Sequence, residues 1–331
     1  MRIHNPAFSE NLESEISASL AILRKKRGFV AEKYLKRKLV LINRYFRRFK
    51  LSACVVAVSG GIDSSVTLGL VCRAAKIKGS PIKKIIAAMI PVFDSRAATN
   101  QVEALARGRG LIGKTGVRPA IIDLTEVHRL MKKTVDDAAR IKGKPWAAGQ
   151  LVSYIRTPAL YYLTSLLAQE GYPAVLCGTT NRDEGAYLGY VGKASDGMVD
   201  LQMISDLHKS EVYSLARLLG MPKNIMAAVP TGDMFDGRTD EEVFGAPYDF
   251  VEFYLLFKSE KKRDQARMRK AWSKQASGQF AELAGKLEAL HKYNSHKYLV
   301  GSPAVHLDIH ESGVPGGWPR RKNKLIQELN R

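Results

Sequence analysis

Ala53-Cys54-Val55-Val56-Ala57-Val58-Ser59-Gly60-Gly61-Ile62-Asp63-Ser64-Ser65 is the stretch on which the fold turns. Its first six residues are apolar without a break and partly β-branched, and glycines follow them. That is the pattern of a strand covered on both faces. A helix is expected from Asp63, with Val66, Leu70 and Ala74 on one side. Two glycines in the connecting loop let the backbone turn tightly and come close to a ligand. The helix behind them offers unpaired N–H groups and the positive end of its dipole. Ser59, Ser64 and Ser65 add hydroxyl donors, so the loop is expected to cradle a phosphate. It lacks the Gly-Lys-Ser/Thr ending of a Walker A loop and the G-x-G-x-x-G spacing of a dinucleotide site. Asp63 places a carboxylate beside the phosphates, and Mg²⁺ between them would remove the repulsion. The plainer alternative is a glycine turn with a serine-rich helix cap.

Outward from this stretch the strand-then-helix pattern repeats. Ile85–Ile90 reads as a strand stopped by Pro91, residues 97–110 as a helix, Ala120–Ile122 as a third strand and Ala174–Cys177 as a fourth. A helix is expected around 150–170. Strands alternating with helices imply right-handed crossovers and a parallel sheet with helices on both faces. Ligands in such sheets sit beyond the carboxyl ends of the strands. On the N-terminal side, residues 12–50 are helical in pattern, with Gly28 as a divider. On the C-terminal side, helices are expected at 209–220 and 247–257 and a long charged one over 258–293, and 301–319 is expected to hold little regular structure. The division expected is a helical extension over 1–50, an α/β core over 51–257, and a basic helical segment with a tail over 258–331.

The chain has 331 residues, 45% of them hydrophobic, which is enough for a sizeable core. Neither a leader peptide nor a membrane-length apolar run is visible, and a cytoplasmic protein is expected. Cys54, Cys72 and Cys177 lie far apart and read as packed thiols. His291, His296, His306 and His310 fit no standard zinc spacing. The net charge of +20 falls in bursts, such as Arg24-Lys25-Lys26-Arg27, Lys36-Arg37-Lys38, Lys261-Lys262-Arg263 and Arg320-Arg321-Lys322. None is interleaved with aromatic residues as a base-stacking surface would be. They read as solvated helix faces, and nucleic acid is not expected as a partner.

The loop resembles the phosphate loop of enzymes that cleave ATP between its α and β phosphates. Within that group, Gly178-Thr179-Thr180-Asn181-Arg182-Asp183-Glu184 is similar to the G-T-x-N-x-x-E segment of NAD synthetases. It is followed by Asp196-Gly197, Asp206-Leu207-x-Lys209, Pro230-Thr231, Thr239-Asp240-Glu241-Glu242 and Phe244-Gly245-x-Pro247-Tyr248, in family order. The resemblance implies an adenine nucleotide alpha-hydrolase-like fold, that is, a doubly wound, mostly parallel α/β sheet with extra helices at both ends. It implies a ligase that adenylates deamido-NAD with ATP, releases pyrophosphate and takes ammonia to give NAD and AMP. It also implies a homodimer.

The same resemblance implies roles. Asp63 and Glu184 would hold Mg²⁺. Ser59, Gly60, Gly61, Ser64, Ser65, Thr179, Lys209 and Thr231 would bind ATP or pyrophosphate, and Lys209 would stabilise charge on the transferring phosphates. Asp196 would act at the reacting carboxylate, and Arg156, Tyr161, Asp200, His296 and Lys297 would meet deamido-NAD. Segments 190–210 and 231–246 are the expected lids. The extension before the core is too short for an amidase domain, so free ammonia is the expected donor. Met89, Ala194-Ser195 and Met198 depart from the family pattern, so the substrate-side loop is expected to differ in shape. Two other readings are a tRNA-modifying enzyme of the same ATP-cleaving group and a nucleotide-binding protein without catalysis.

Overall fold

The computed structural model describes residues 12–93, 98–232, 237–298, 304–311, 313–315, 317 and 324–330. Arg320-Arg321-Lys322 lies outside them.

Two helices lead, α1 (Ser14–Arg27) and α2 (Ala31–Arg48). Gly28 separates them in a left-handed conformation, φ 62°, and its N–H closes α1 on Arg24 O. The α/β run follows: β1 (Ala53–Ala57), α3 (Ile62–Ala75), β2 (Lys84–Met89), α4 (Ala98–Thr115), β3 (Arg118–Ile121), α5 (Thr125–Ala139), α6 (Pro145–Gln169) and β4 (Ala174–Gly178). Next come a single turn α7 (Arg182–Gly185), β5 (Leu201–Gln202), α8 (Lys209–Leu219) and the short α9 (Lys223–Met226) and α10 (Asp240–Phe244). The chain continues through α11 (Tyr248–Ser259), α12 (Lys262–Lys270), α13 (Lys274–Asn294), a 3-10 turn (Ser295–Tyr298), β6 (Val305–His306) and α14 (Lys324–Asn330).

All the strand pairs are parallel, in the order β3-β2-β1-β4-β5-β6. Alternate residues of β1 enter different cores. Cys54 and Val56 pack with Tyr34, Phe46, Val66, Leu70 and Leu215 on one face, while Ala53 and Val55 pack with Val152, Ile155 and Leu167 on the other. Two covered faces explain the unbroken apolar run. A third core, apart from the sheet, joins α1, α11 and α13 through Ile16, Leu20, Leu23, Phe250, Phe253, Phe280 and Leu287. The strand order turns between β1 and β4, so a crevice opens beyond their carboxyl ends.

The doubly wound parallel sheet is as expected, and three details differ. β3 begins two residues early, because it is an edge strand whose residues are largely exposed and carry little apolar signal. The 258–293 stretch is two helices, broken before Ser273, whose hydroxyl caps α13 by accepting from Ala276 N at 3.1 Å. Finally, the tail contributes β6, which pairs with β5. Two residues are too short a run to read, and a parallel partner a hundred positions away leaves no local mark. The solvated-face expectation holds for α12, which buries none of its residues, but fails elsewhere. Lys38 is fully buried against Asp206, and Arg27 lies against Glu211 with 9% of its side chain exposed. Among the described residues no helix is long and apolar enough to cross a membrane.

Candidate active site

A cavity of about 600 Å³ occupies the crevice beyond β1 and β4. Ser59, Gly61, Asp63 and Ser64 form one wall. Gly60 takes φ +78°, and a Cβ there would lie 2.2 Å from Ala104 O on α4. Backbone conformation and close packing therefore both require glycine at this position. Arg107 Nε donates to Gly60 O at 3.1 Å from the same helix. The hydroxyls of Ser59 and Ser64 lie 3.1 Å apart, whereas Ser65 is buried and donates back to Gly61 O at 2.7 Å. Ser65 thus braces the loop from inside and does not line the cavity. Gly60→Ala should destabilise the fold by at least about 1–2 kcal/mol from the left-handed backbone alone. The melting temperature checks this, and an unchanged value would show that the loop leaves the left-handed conformation at no cost.

Asn181 ties the opposite wall to the first. As cap of α7 its Oδ1 accepts Glu184 N at 3.1 Å, and its Nδ2 donates to Asp63 Oδ1 at 2.9 Å and Glu184 Oε1 at 2.6 Å. Lys209, the first residue of α8, sends its Nζ to Asp63 Oδ2 at 2.6 Å and Glu184 Oε1 at 3.0 Å. The lysine side chain is 2% exposed, while Asp63 and Glu184 keep 18% and 15% toward the cavity. Tyr248 OH lies 2.9 Å from Glu184 Oε1 and 2.8 Å from Asp240 Oδ2, beneath the ammonium. Burial opposes the charge on Lys209, but Asp63, Glu184 and Asp240 outweigh it and hold the ammonium well above the usual range. Burial raises Glu184 to about 7, against the pull of Lys209 and with a further push from Asp63 and Asp240. Behind the cluster, Asp183 Oδ2 accepts Lys209 N at 2.7 Å, and Asp183 Oδ1 lies 2.6 Å from His208 Nδ1. Burial holds His208 down at about 3, so its ring is neutral at pH 7.

The other expected residues divide. Thr179, Thr231, Asp196 and Arg156 reach the cavity wall. Thr231 Oγ1 donates to Arg238 O at 2.8 Å, next to 233–236, which lie outside the described residues. Arg156 Nε donates to Ile90 O at 3.0 Å. Tyr161, Asp200, His296 and Lys297 are not on the wall. Asp200 Oδ2 accepts Leu176 N at 2.7 Å, with Tyr161 OH 3.4 Å from its other oxygen. Lys297 Nζ donates to Gly189 O at 2.7 Å and Val191 O at 2.6 Å, and His296 is exposed. Residues 201–209 are buried throughout, so the 190–210 segment moves as a lid at most over its first part. That first part is a compact turn in which Ser195 and Gly197 both donate through N–H to Gly192 O. Met89 is buried on the cavity wall against Gly108.

Asp240, Tyr248 and Asn181 join the site without having been expected there from the sequence. Asp240 lies within Thr239-Asp240-Glu241-Glu242, a capping box that explains itself as a helix start and so hides the inward carboxylate. The hydroxyl of Tyr248 gives no local signal at all.

The family model described as NAD synthase matches residues 34–298. The NH(3)-dependent NAD(+) synthetase of Thermoplasma volcanium is 34% identical over 61% of this chain and 74% of its own length. That of Methanococcoides burtonii is 30% identical over 62% and 71%. In fold, the chain is similar to NMN synthetase from Francisella tularensis (TM-score 0.63, 21% identity, 81% of this chain and 96% of that one). It is also similar to NAD+ synthetase from Burkholderia pseudomallei (TM-score 0.60, 19% identity, 88% and 100%).

Proposed function

Since the chain belongs to the NAD synthase family, we propose that it adenylates the carboxylate of deamido-NAD with ATP, releases pyrophosphate, and lets ammonia displace AMP to give NAD. In class it is then a carbon–nitrogen ligase. The observation that carries this reading is the meeting of Asp63, from the glycine-loop wall, and Glu184, from the opposite wall, within 3.0 Å of the Lys209 ammonium. The loop N–H groups and α3 receive phosphate oxygens. Lys209 stands where negative charge grows as pyrophosphate leaves, already protonated and fixed, so little reorganisation is needed. Thr179 and Thr231 are placed to meet the nucleotide, and Asp196, exposed at the cavity wall, to meet the incoming ammonia. Excluding water there protects the mixed anhydride.

Mg²⁺ fits these residues. Asp63 and Glu184 offer hard oxygens to one cavity, and among the described residues Glu184 Oε2 makes no hydrogen bond. Mg²⁺ is commonly held by one or two carboxylates plus substrate phosphates. Asp63 and Glu184 would hold it, and it would supply neutralisation of the ATP phosphates.

We also propose a cytoplasmic homodimer built across α5 and α6. Leu130, Met131 and Val135 on α5 and Trp146 and Tyr162 on α6 are exposed apolar side chains that a second copy could cover.

The test is a product assay with ATP, Mg²⁺, deamido-NAD and either ammonia or glutamine. AMP and pyrophosphate are expected in step with NAD, with ammonia as donor. ADP release, or ATP cleavage that ignores the acceptor, would sink the reading. Reaction with the nicotinate mononucleotide alone would replace the acceptor. Tight, salt-sensitive tRNA binding would revive the tRNA-modifying alternative, which the family match does not favour.

A further inference from the structure

The two leading helices and the tail converge on the turn that carries Lys209, and of their contacts those of Arg27 and of residues 309 and 310 come from outside the matched 34–298. From α1, Arg27 Nε donates to Glu211 Oε1 at 2.5 Å, and its NH2 group donates to Glu211 Oε2 at 2.9 Å and Asp206 O at 2.6 Å. From the tail, the N–H groups of Ile309 and His310 donate to Asp206 Oδ2 at 2.8 and 3.0 Å. From α2, Tyr34 OH and Lys38 Nζ approach Asp206 Oδ1 at 2.8 and 3.3 Å. Glu211 in turn accepts His208 N at 2.9 Å, which caps α8 immediately before Lys209. Arg27 is the one of these groups that spans both ends of the turn, gripping residue 206 and residue 211 at once.

We propose that Arg27 is a positioning residue for Lys209. Its planar fork holds both oxygens of Glu211 and the Asp206 carbonyl, a task for which lysine is a poor substitute. The 206–211 turn is thereby fixed, and the ammonium of Lys209 is kept on Asp63 and Glu184. This inference rests on the reading of Lys209 as the group that acts on the ATP phosphates. A plain stapling role for α1 falls instead to Arg24, whose guanidinium binds Asp249 and Glu252 on α11 and does not reach the turn.

The 331-residue chain serves for the test. Arg27→Ala is expected to lower kcat by about 10- to 100-fold, the cost of misplacing a reacting group by ~1 Å. KM for ATP and deamido-NAD should stay within about threefold, since binding is not what is lost. Millimolar guanidinium ion should restore part of the kcat of Arg27→Ala, and Arg27→Lys should fall between it and the wild type. Arg24→Ala should melt earlier yet keep kcat within about twofold, since none of its hydrogen bonds reaches the 206–211 turn. Amide hydrogen exchange at 205–212 should quicken in Arg27→Ala while β1 and β2 stay protected.

An equal kcat loss in Arg24→Ala would reduce Arg27 to a role in folding, and so would unchanged exchange at 205–212. If Arg27→Ala does not fold, Arg27→Lys takes its place in the same comparisons. Exchange needs no turnover, so it decides the placement of the turn even if the wild type forms no NAD.

Discussion

Replacing Lys209 by methionine is expected to cut turnover about a thousandfold, the upper end for removing one donor aimed at developing charge. Methionine fills nearly the same volume in a position that is 2% exposed, so the loss is of charge and not of packing. The apparent affinity for ATP should change far less, because the glycine loop and α3 make their own contacts to phosphate. Steady-state kinetics of AMP release separate the two parameters. A drop in kcat smaller than about tenfold would remove Lys209 from the chemistry and leave it as a structural counter-ion.

The same substitution has a stability signature with a definite sign. Without the ammonium, Asp63, Glu184 and Asp240 face one another with no cation among them. In the wild type Glu184 already stands at about 7 against an ordinary 4.5, raised by burial and held down by Lys209. Loss of Lys209 drives it higher. A carboxyl whose folded value exceeds its unfolded one binds its proton more tightly in the folded state, so stability is lost as pH rises through the folded value. The melting temperature of Lys209→Met should therefore fall from about pH 5 to about pH 8, and more steeply than that of the wild type. A flat profile would mean that water in the cavity screens the carboxylates completely.

Much of this site could be read from the sequence because its residues follow strand ends. β1 and β4 are covered on both faces, their apolar runs are continuous, and the polar residues just after them stand out: Ser59 to Ser65 in one case, Thr179 to Glu184 in the other. Lys209 was legible through the Asp206-Leu207-x-Lys209 spacing, although its burial was not. What escaped depends on contacts between distant segments. Arg27 stands in a basic burst that looks solvated, and its partner Glu211 lies 184 positions away. β5 and β6 are two residues each and exist only through their pairing. Composition marks a charge but not whether a carboxylate from another element lies against it. For the same reason the partners of the residues expected to meet the acceptor were not legible. Asp200 bonds to Leu176 and to Tyr161, and Lys297 bonds to Gly189 and Val191.

Glu184→Gln should silence the enzyme while leaving it as stable as the wild type, or more so. Glutamine keeps an oxygen in the place where Asn181 Nδ2, Lys209 Nζ and Tyr248 OH converge, so the hydrogen-bonded frame survives. What it loses is negative charge. A carboxylate raised to about 7 by burial is one the fold bears at a cost near neutral pH, and an uncharged amide removes that cost. Strain of this kind is often kept where function needs it. On the proposed reading the need is the second oxygen ligand for Mg²⁺, whose charge stabilisation is worth several kcal/mol; at about 1.4 kcal/mol per tenfold, the expected loss in turnover is about 100- to 1000-fold. Raising Mg²⁺ should recover part of it, since Asp63 remains. Melting temperature at pH 8 and a Mg²⁺ titration of AMP release test the two halves separately. A variant that melts well below the wild type would show that the charge of Glu184 supports the fold through Lys209. Near-normal turnover at low Mg²⁺ would take the metal away from Glu184.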